Sequence, residues 1–421
     1  MATELLNPVV ITKNLLVRLE NNIVMAKMVS REFEDQFAVP GAKCGYTLNA
    51  RVPVRFRGTI GDAFNPEDIK ETMVPIAINR LWGTHMDVSD QDLTLTIDRF
   101  GERYLDSAAS AVANMIDGEG CDLYRDVYNA VGVPGTLPTT LATYTDAGVA
   151  LSDSGCPEDE RQRAVIVNPR MQAGVLGFAA NIFNPAKTIS EQYLTGKMGT
   201  AVGFRFNMDQ NVARHQVGNL GTAGAPTSNP VVAGAGQSGA NLNTSGWDAG
   251  IAQSLREGDI ITIAGCFAVN PLSYRSTGAL RTFRVTADCA PDGGGLMTIP
   301  VFPSIDADPT SPFQTVTALP ANLAAIRVFG QATGAGFTAI QSIQSAQGMA
   351  FHKQAFTLAI VKQELPGGTE WAEQLGDKKS GLMLRLTRFW DGRVNRKLTR
   401  VEALGGWKCI RPELACRISS S

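Results

Sequence analysis

LMLRLTRFWDGRVNRKLTRVEALGGWKCIRPELACRI, Leu382 to Ile418, is built of alternating runs and turn residues. LMLRLTRFW and RVNRKLTRVEAL alternate as strands on either side of Asp391-Gly392, a strong short hairpin signal between alternating segments. WKCIRPELACRI reads as a final strand with a proline-containing turn. Just upstream, QSIQSAQGMAFHKQAFTLAIVKQEL (341–365) is expected to be partly helical and then extended.

Further upstream, GDIITIAG, RTFRVTAD, GLMTIPVF, SPFQTVTAL and AAIRVFG follow one another at close spacing, with turn clusters such as APDGGG between them. Short strands without helical periodicity between them describe a small β-barrel or sandwich ending near Gly336. Residues 218–250, rich in Gly, Ala, Ser, Thr and Asn, are expected to form a long loop leading into it. Between 133 and 217 the pattern is mixed. TLATYTDAGVALSDSG and NPRMQAGVLGFAANIF suggest short helices, whereas RAVIVNP and GFRFNMDQNVARH suggest strands.

The first third carries an amphipathic arm over residues 8–36, with Val10, Leu15, Leu16, Leu19, Ile23, Val24 and Met28 at helical spacing. RVPVRFRG then alternates Val52, Val54 and Phe56 against Arg51, Arg55 and Arg57. TMVPIAINRLWG follows after the polar GDAFNPEDIKE, which makes an extended hairpin. Pro53 and Pro75 cannot donate ladder hydrogen bonds, so these strands should lie at edges or project. Asp98 to Ala130 reads as the longest helix, with Asp98 as N-cap and Phe100, Tyr104, Leu105, Ala108, Val112, Met115 and Ile116 on its apolar face. Gly118 and Gly120, each unfavourable by about 1 kcal/mol in a helix interior, are expected to kink or break it before CDLYRDVYNAV resumes.

Composition excludes several classes. The chain has 421 residues, enough for two or three domains, and is 44% hydrophobic and 19% charged. It contains no apolar run of transmembrane length, so no membrane partner is expected. The N-terminus lacks a signal-peptide pattern, which points to folding in the cytoplasm. A net charge of −2 gives no overall grip on nucleic acid. Seven scattered cysteines without a C-x-x-C pair read as buried free thiols.

The chemical motifs are weak. GAGQSG (234–239) matches G-x-G-x-x-G, with Asp259 downstream, but no helical periodicity follows the glycines to receive a pyrophosphate. His85, His215 and His352 stand far apart, without zinc-protease spacing or a G-x-S-x-G elbow. No catalytic residue, metal ligand or cofactor is therefore expected. Glu158, Asp159 and Glu160 beside Arg161 and Arg163 read as a solvated face. Arg385, Arg388, Arg393, Arg396, Lys397 and Arg400 make the C-terminal hairpin basic, but without interleaved stacking aromatics. Glu67, Asp68, Lys70 and Glu71 at the hairpin tip, with Arg55 and Arg57 on its limb, are the candidate intersubunit contact residues, because an arm reaching from its own core needs a neighbour.

MAFHKQAFTLA (Met349–Ala359) and TRVEALGGWKCIRPELACRI (Thr399–Ile418), including the Arg411-Pro412-Glu413 turn, are similar to segments of the podophage coat proteins of the Salmonella-phage type. The element order over nearly the whole chain resembles that family too. The resemblance implies an α+β tailed-phage capsid fold, the HK-ninety-seven-like fold, with a small β-barrel inserted. Its parts would be an N-terminal helical arm (1–45), an extended hairpin loop (46–95), the spine helix of a P-domain (96–132) and the first part of the A-domain and P-domain (133–217). The inserted barrel (218–336) and the A-domain and P-domain return with its C-terminal strands (337–421) would follow. It further implies a non-catalytic major capsid protein that self-assembles into the icosahedral shell of a virion. The shell would form from pentamers and hexamers in the host bacterial cytoplasm and enclose double-stranded DNA without sequence specificity. Scaffolding protein, portal protein and an optional decoration protein would be its partners. An encapsulin-like shell and an α+β enzyme are the competing readings.

Overall fold

The computed structural model describes residues 15–17, 19, 23–31, 47–58, 71–89, 106–159, 161–182, 199–220, 230–251, 253–330, 343–376, 382–393 and 396–421. The fold is α+β and rich in strands. Its elements begin with β1 (Thr47–Arg51), β2 (Met73–Ala77), β3 (Arg80–Ser89), α1 (Asp106–Asp122), β4 (Asn129–Gly132), α2 (Ala142–Asp153), β5 (Arg163–Val167) and α3 (Pro169–Ile182). Then come β6 (Thr200–Ala201), β7 (Phe204–Met208), β8 (Arg214–Gln216), β9 (Val231–Val232), β10 (Gly239–Ser245), β11 (Ile260–Val269) and β12 (Ser276–Val285). The last are β13 (Met297–Ile305), β14 (Ile326–Val328), β15 (Gln344–His352), β16 (Phe356–Val361), β17 (Trp371–Gly376), β18 (Met383–Asp391), β19 (Arg396–Cys409) and β20 (Ala415–Ser420). They fall into two compact units, the first of Met1–Arg51, Met73–Gly120 and Phe356–Ile410, the second of Val52–Thr72, Cys121–Ala355 and Arg411–Ser421.

β19 organises the first unit. One edge pairs antiparallel with β3 from Arg396↔Ser89 to Gly405↔Arg80. The other pairs first with β18 and then with β16, while β17 extends the sheet beyond β18. The alternation read around Asp391-Gly392 thus gives two paired strands, although Asp391 is itself paired, with Arg396, and so closes β18 rather than opening a two-residue turn. The N-terminal stripe buries Leu15, Leu16, Leu19 and Ile23, whereas Val10 lies outside the described residues. A 3₁₀ turn at Met25–Lys27 follows. The buried Asp117 carboxylate of α1 accepts hydrogen bonds from Val24 N (2.6 Å) and Ala26 N (3.1 Å).

α1 runs unbroken through both glycines, contrary to the expected kink. Its Ala108, Val112 and Ile116 are buried; Asp98, Phe100, Tyr104 and Leu105 lie outside the described residues. Gly120 is there for close approach. A Cβ at this position would sit 2.8 Å from Met25 Sδ and 2.8 Å from the Trp407 ring, whereas one at Gly118 would meet nothing within 4 Å. Gly118→Ala should therefore raise stability by about 0.5–1 kcal/mol. Gly120→Ala should lower it by about 1–3 kcal/mol through overpacking. Urea unfolding midpoints of the two variants should move in opposite directions. The helix does not resume after Asp122. A 3₁₀ turn (Leu123–Asp126) leads into β4, because parallel pairing with β20 claims Asn129 to Gly132.

The second unit contains a seven-stranded mixed sheet in the order β4-β20-β15-β5-β7-β6, with β8 also on β15. β5, the RAVIV run, is buried throughout, as a strand covered on both faces requires. Residues 344–352 and 356–361 are strands, so the partial helix expected in 341–365 is absent from the described part. The Ala-, Ser- and Gln-rich composition of 344–352 favours no state strongly, and pairing of β15 with β20 and β5 decides it.

The chain leaves this sheet at β8 and returns at β15, and the two strands pair with each other at Gln216↔Gln344. Between them β14-β11-β12-β13-β10-β9 form a six-stranded sheet. Its ends are joined by Val232 N→Ala324 O (3.0 Å), Leu323 N→Val232 O (3.0 Å) and Ile326 N→Pro230 O (2.9 Å), which makes a nearly closed barrel. β13 alternates buried and exposed positions, and Leu242, Ile261, Phe283, Ile299 and Val328 join the interior. Two expectations are corrected here. The tract 218–250 is not one long loop but contains β9 and β10, because Leu242 and Thr244 face inward. SPFQTVTAL is not a strand; Val316 makes one isolated bridge, to Ala268.

Candidate functional site

The hairpin base is β1 paired with β2, from Thr47↔Ala77 to Arg51↔Met73. TMVPIAINRLWG therefore divides between β2 and β3. One further bond, Val52 N→Thr72 O (3.0 Å), follows, and residues 53–58 continue outside any named strand. Pro53 supplies no donor there. Arg55 Nη2 reaches Glu413 Oε1 at 3.1 Å, in the Arg411-Pro412-Glu413 turn. Arg57 donates to Gln314 Oε1 (3.2 Å) and lies 4.5 Å over the Tyr274 ring. Both arginines thus have partners within their own chain. Phe56 between them is 57% exposed, and Glu71 is exposed. Glu67, Asp68 and Lys70 lie outside the described residues.

The basic C-terminal hairpin is largely neutralised within its own unit. Arg385 and Arg400 both reach the fully buried Glu402, Arg388 and Lys397 flank Glu370, and Arg396 pairs with Asp87. Spacing exposed the cations but not their cross-strand partners.

A buried polar chain, which sequence reading missed, fastens the barrel to the mixed sheet. His215 on β8 is bonded through Nε2 to Asp259 Oδ1 (2.8 Å) and through Nδ1 to the Tyr124 hydroxyl (3.1 Å). The other Asp259 oxygen accepts from Gly218 N (3.0 Å) and Arg256 N (2.8 Å). Arg417 on β20 donates to Gly258 O (2.7 Å). Cation–π and ring contacts continue the seam: Arg281 over Tyr128, Tyr128 beside Phe302, and Arg284 over Phe302. Tyr124, His215 and Asp259 could be mistaken for a nucleophile relay. However, burial raises the phenol's pKa and leaves Tyr124 1% exposed, which suits a structural hydroxyl.

The remaining motifs are absorbed by structure. GAGQSG is the turn between β9 and β10, with positive φ at Gly234, Gly236 and Gly239, and the Gln237 amide bonds Ala233 O and Asn243 N. Asp259 serves the His215 junction instead. Cys121, Cys156, Cys266, Cys289, Cys409 and Cys416 are buried free thiols, and burial pushes Cys416 up to about 12; Cys44 lies outside the described residues. Among the described residues no three His, Cys, Asp or Glu side chains converge as a metal site. His85 is exposed on β3.

His352 is buried at the end of β15. Desolvation first, then Arg163 and Arg411, hold its pKa below the usual value, against a smaller opposing pull from Asp159. An unfolded chain would protonate this imidazole near pH ~6.5, whereas the native state resists the proton. Stability present above that pH should therefore fall as pH drops below it toward the depressed native pKa. His352→Gln should flatten this dependence, seen as a smaller change in urea midpoint between acidic and neutral pH.

No sequence-family profile and no curated protein matches the chain. Solved structures that it resembles include one of Mycobacterium phage Che8, 15% identical with a TM-score of 0.45, covering 94% of this chain and 90% of that one. The capsid structure of the Cyanophage P-SCSP1u is 12% identical with a TM-score of 0.43, covering 93% and 89%. The CUS-3 coat protein I-domain is 25% identical with a TM-score of 0.20, covering 26% of this chain and all of that one.

Proposed function

We propose that this chain is the major capsid protein of a tailed bacteriophage, a non-catalytic subunit that self-assembles into an icosahedral shell around double-stranded DNA. The observation that carries the reading is where the two coat-protein-like segments fall. Met349–Ala359 runs from β15 into β16, and Thr399–Ile418 runs through β19, its turn and β20. β15, β19 and β20 are interior strands of their sheets and β16 pairs along β19, and the chain forms the barrel between β8 and β15, which supports the reading.

The same reading gives the hairpin its role. Arg55, Arg57, Glu67, Asp68, Lys70 and Glu71 would contact adjacent subunits, and the exposed Phe56 would be covered there. Interfaces of obligate assemblies commonly exceed about 2,000 Å², and repeated heterologous contacts close into rings, here pentamers and hexamers. Scaffolding protein, portal protein and a decoration protein would be further partners, with assembly in the host bacterial cytoplasm. The test is expression of the full chain with and without a co-expressed scaffold, followed by cryo-electron microscopy. Closed icosahedral shells are expected. A dispersed monomer or dimer in both preparations would overturn the proposal.

A further inference from the structure

A polar cavity of about 360 Å³ opens beside the barrel junction, lined by Tyr124, Arg125, Arg214, His215, Gln216 and Arg256, with Glu257, Asp288 and Gln344 completing it. Its three arginines come from three separate segments: the 3₁₀ turn after α1, β8 and the approach to β11. Among the described residues none of the three is ion-paired. Arg125 donates through Nε to the Tyr124 hydroxyl (3.4 Å) and Arg256 through Nη1 to Gln216 (2.9 Å), which leaves donors on both. The exposed Arg214, paired through its backbone with Ala346, has no side-chain hydrogen bond or ion pair among the described residues. Asp288, by contrast, is engaged by Glu257 N (2.8 Å) and the Gln253 amide (3.5 Å).

We propose that this cavity binds a phosphate oxyanion. A planar carboxylate is satisfied by one guanidinium fork. Three arginines contributed by three segments suit the several oxygens of a tetrahedral anion better. Beneath them, Tyr124 and His215 are fixed by Asp259, so the floor of the site is held in place before a ligand arrives. The two lining carboxylates moderate the positive field and limit the site to modest affinity.

Isothermal titration of the full chain at constant ionic strength tests this, with inorganic phosphate, pyrophosphate, acetate and a short single-stranded DNA as separate titrants. Saturable phosphate or pyrophosphate binding is expected, weakened about tenfold in Arg214→Gln through loss of a charge-assisted contact. Arg214 is exposed, so this variant should keep the wild-type unfolding midpoint. Tighter binding of the DNA, lost in the same variant, would assign the bound phosphate to a nucleic-acid backbone. Acetate binding as tightly as phosphate, no saturable binding of any phosphate, or binding unchanged in Arg214→Gln would overturn the proposal.

Discussion

Gly406→Ala is expected to lower stability by about 3 kcal/mol or more. β19 passes at this point over the turn between β2 and β3. A Cβ on Gly406 would stand 2.0 Å from Ala77 O, 3.0 Å from Ala77 C and 3.3 Å from Ile78 Cα. All three are backbone atoms, so no side chain can rotate away and one chain segment has to move. Gly405 is also crowded, though less, with its missing Cβ 2.5 Å from Ala359 O and 2.8 Å from the Trp82 ring. Guanidinium unfolding of the full chain, followed by tryptophan fluorescence, should show a large fall in midpoint for Gly406→Ala beside a rise for Gly118→Ala. Equal midpoints for Gly406→Ala and the parent would mean that residues 77–78 do not pack there.

Glu402→Ala is expected to cost about 3–5 kcal/mol, the usual result of removing one partner from a buried ion pair. Glu402 is fully buried on β19, directly across from Arg385 on β18. It accepts from Arg385 Nε (2.8 Å) and lies 3.1 Å from Arg400 Nε. Without it, the 17%-exposed Arg385 side chain keeps, among the described residues, only the Glu364 carbonyl (2.6 Å). Replacing both members, Arg385→Met with Glu402→Leu, should recover part of the loss, since a buried pair is often no better than an apolar one of similar volume. A double-mutant cycle by urea unfolding should give a coupling of about 1–3 kcal/mol. A single Glu402→Ala effect below 1 kcal/mol would rule out the buried clamp.

Both residues lie in the stretch whose alternation was plainest, and neither effect was visible there. LMLRLTRFW and RVNRKLTRVEAL announce two strands because side chains alternate across a pleated backbone. The Gly405-Gly406 pair announces only that side chains are missing. The identity of the passing backbone belongs to residues 77 and 78, more than three hundred positions earlier. Gly118 and Gly120 make the same point within one helix. Identical in sequence terms, they differ because Met25 and Trp407 crowd only the second. The barrel was legible through the β13 and β11 runs, but β10 was hidden in a tract whose small polar residues carry little propensity in either direction.

The sequence by itself determined the α+β class, the strand-rich C-terminal region, the β block between residues 258 and 330, most of the short helices and the buried thiols. These follow from local periodicity and composition, which a strand or helix imposes on its own residues. Tertiary structure alone decided the pairing of β8 with β15 at the foot of the barrel, the salt-bridge partners of the basic hairpin, and the Tyr124–His215–Asp259 chain. The members of that chain are separated by 91 and 44 positions. Hydrogen bonds and ion pairs act over about 3–4 Å of space whatever the distance along the chain, so only the folded backbone could bring such groups into register.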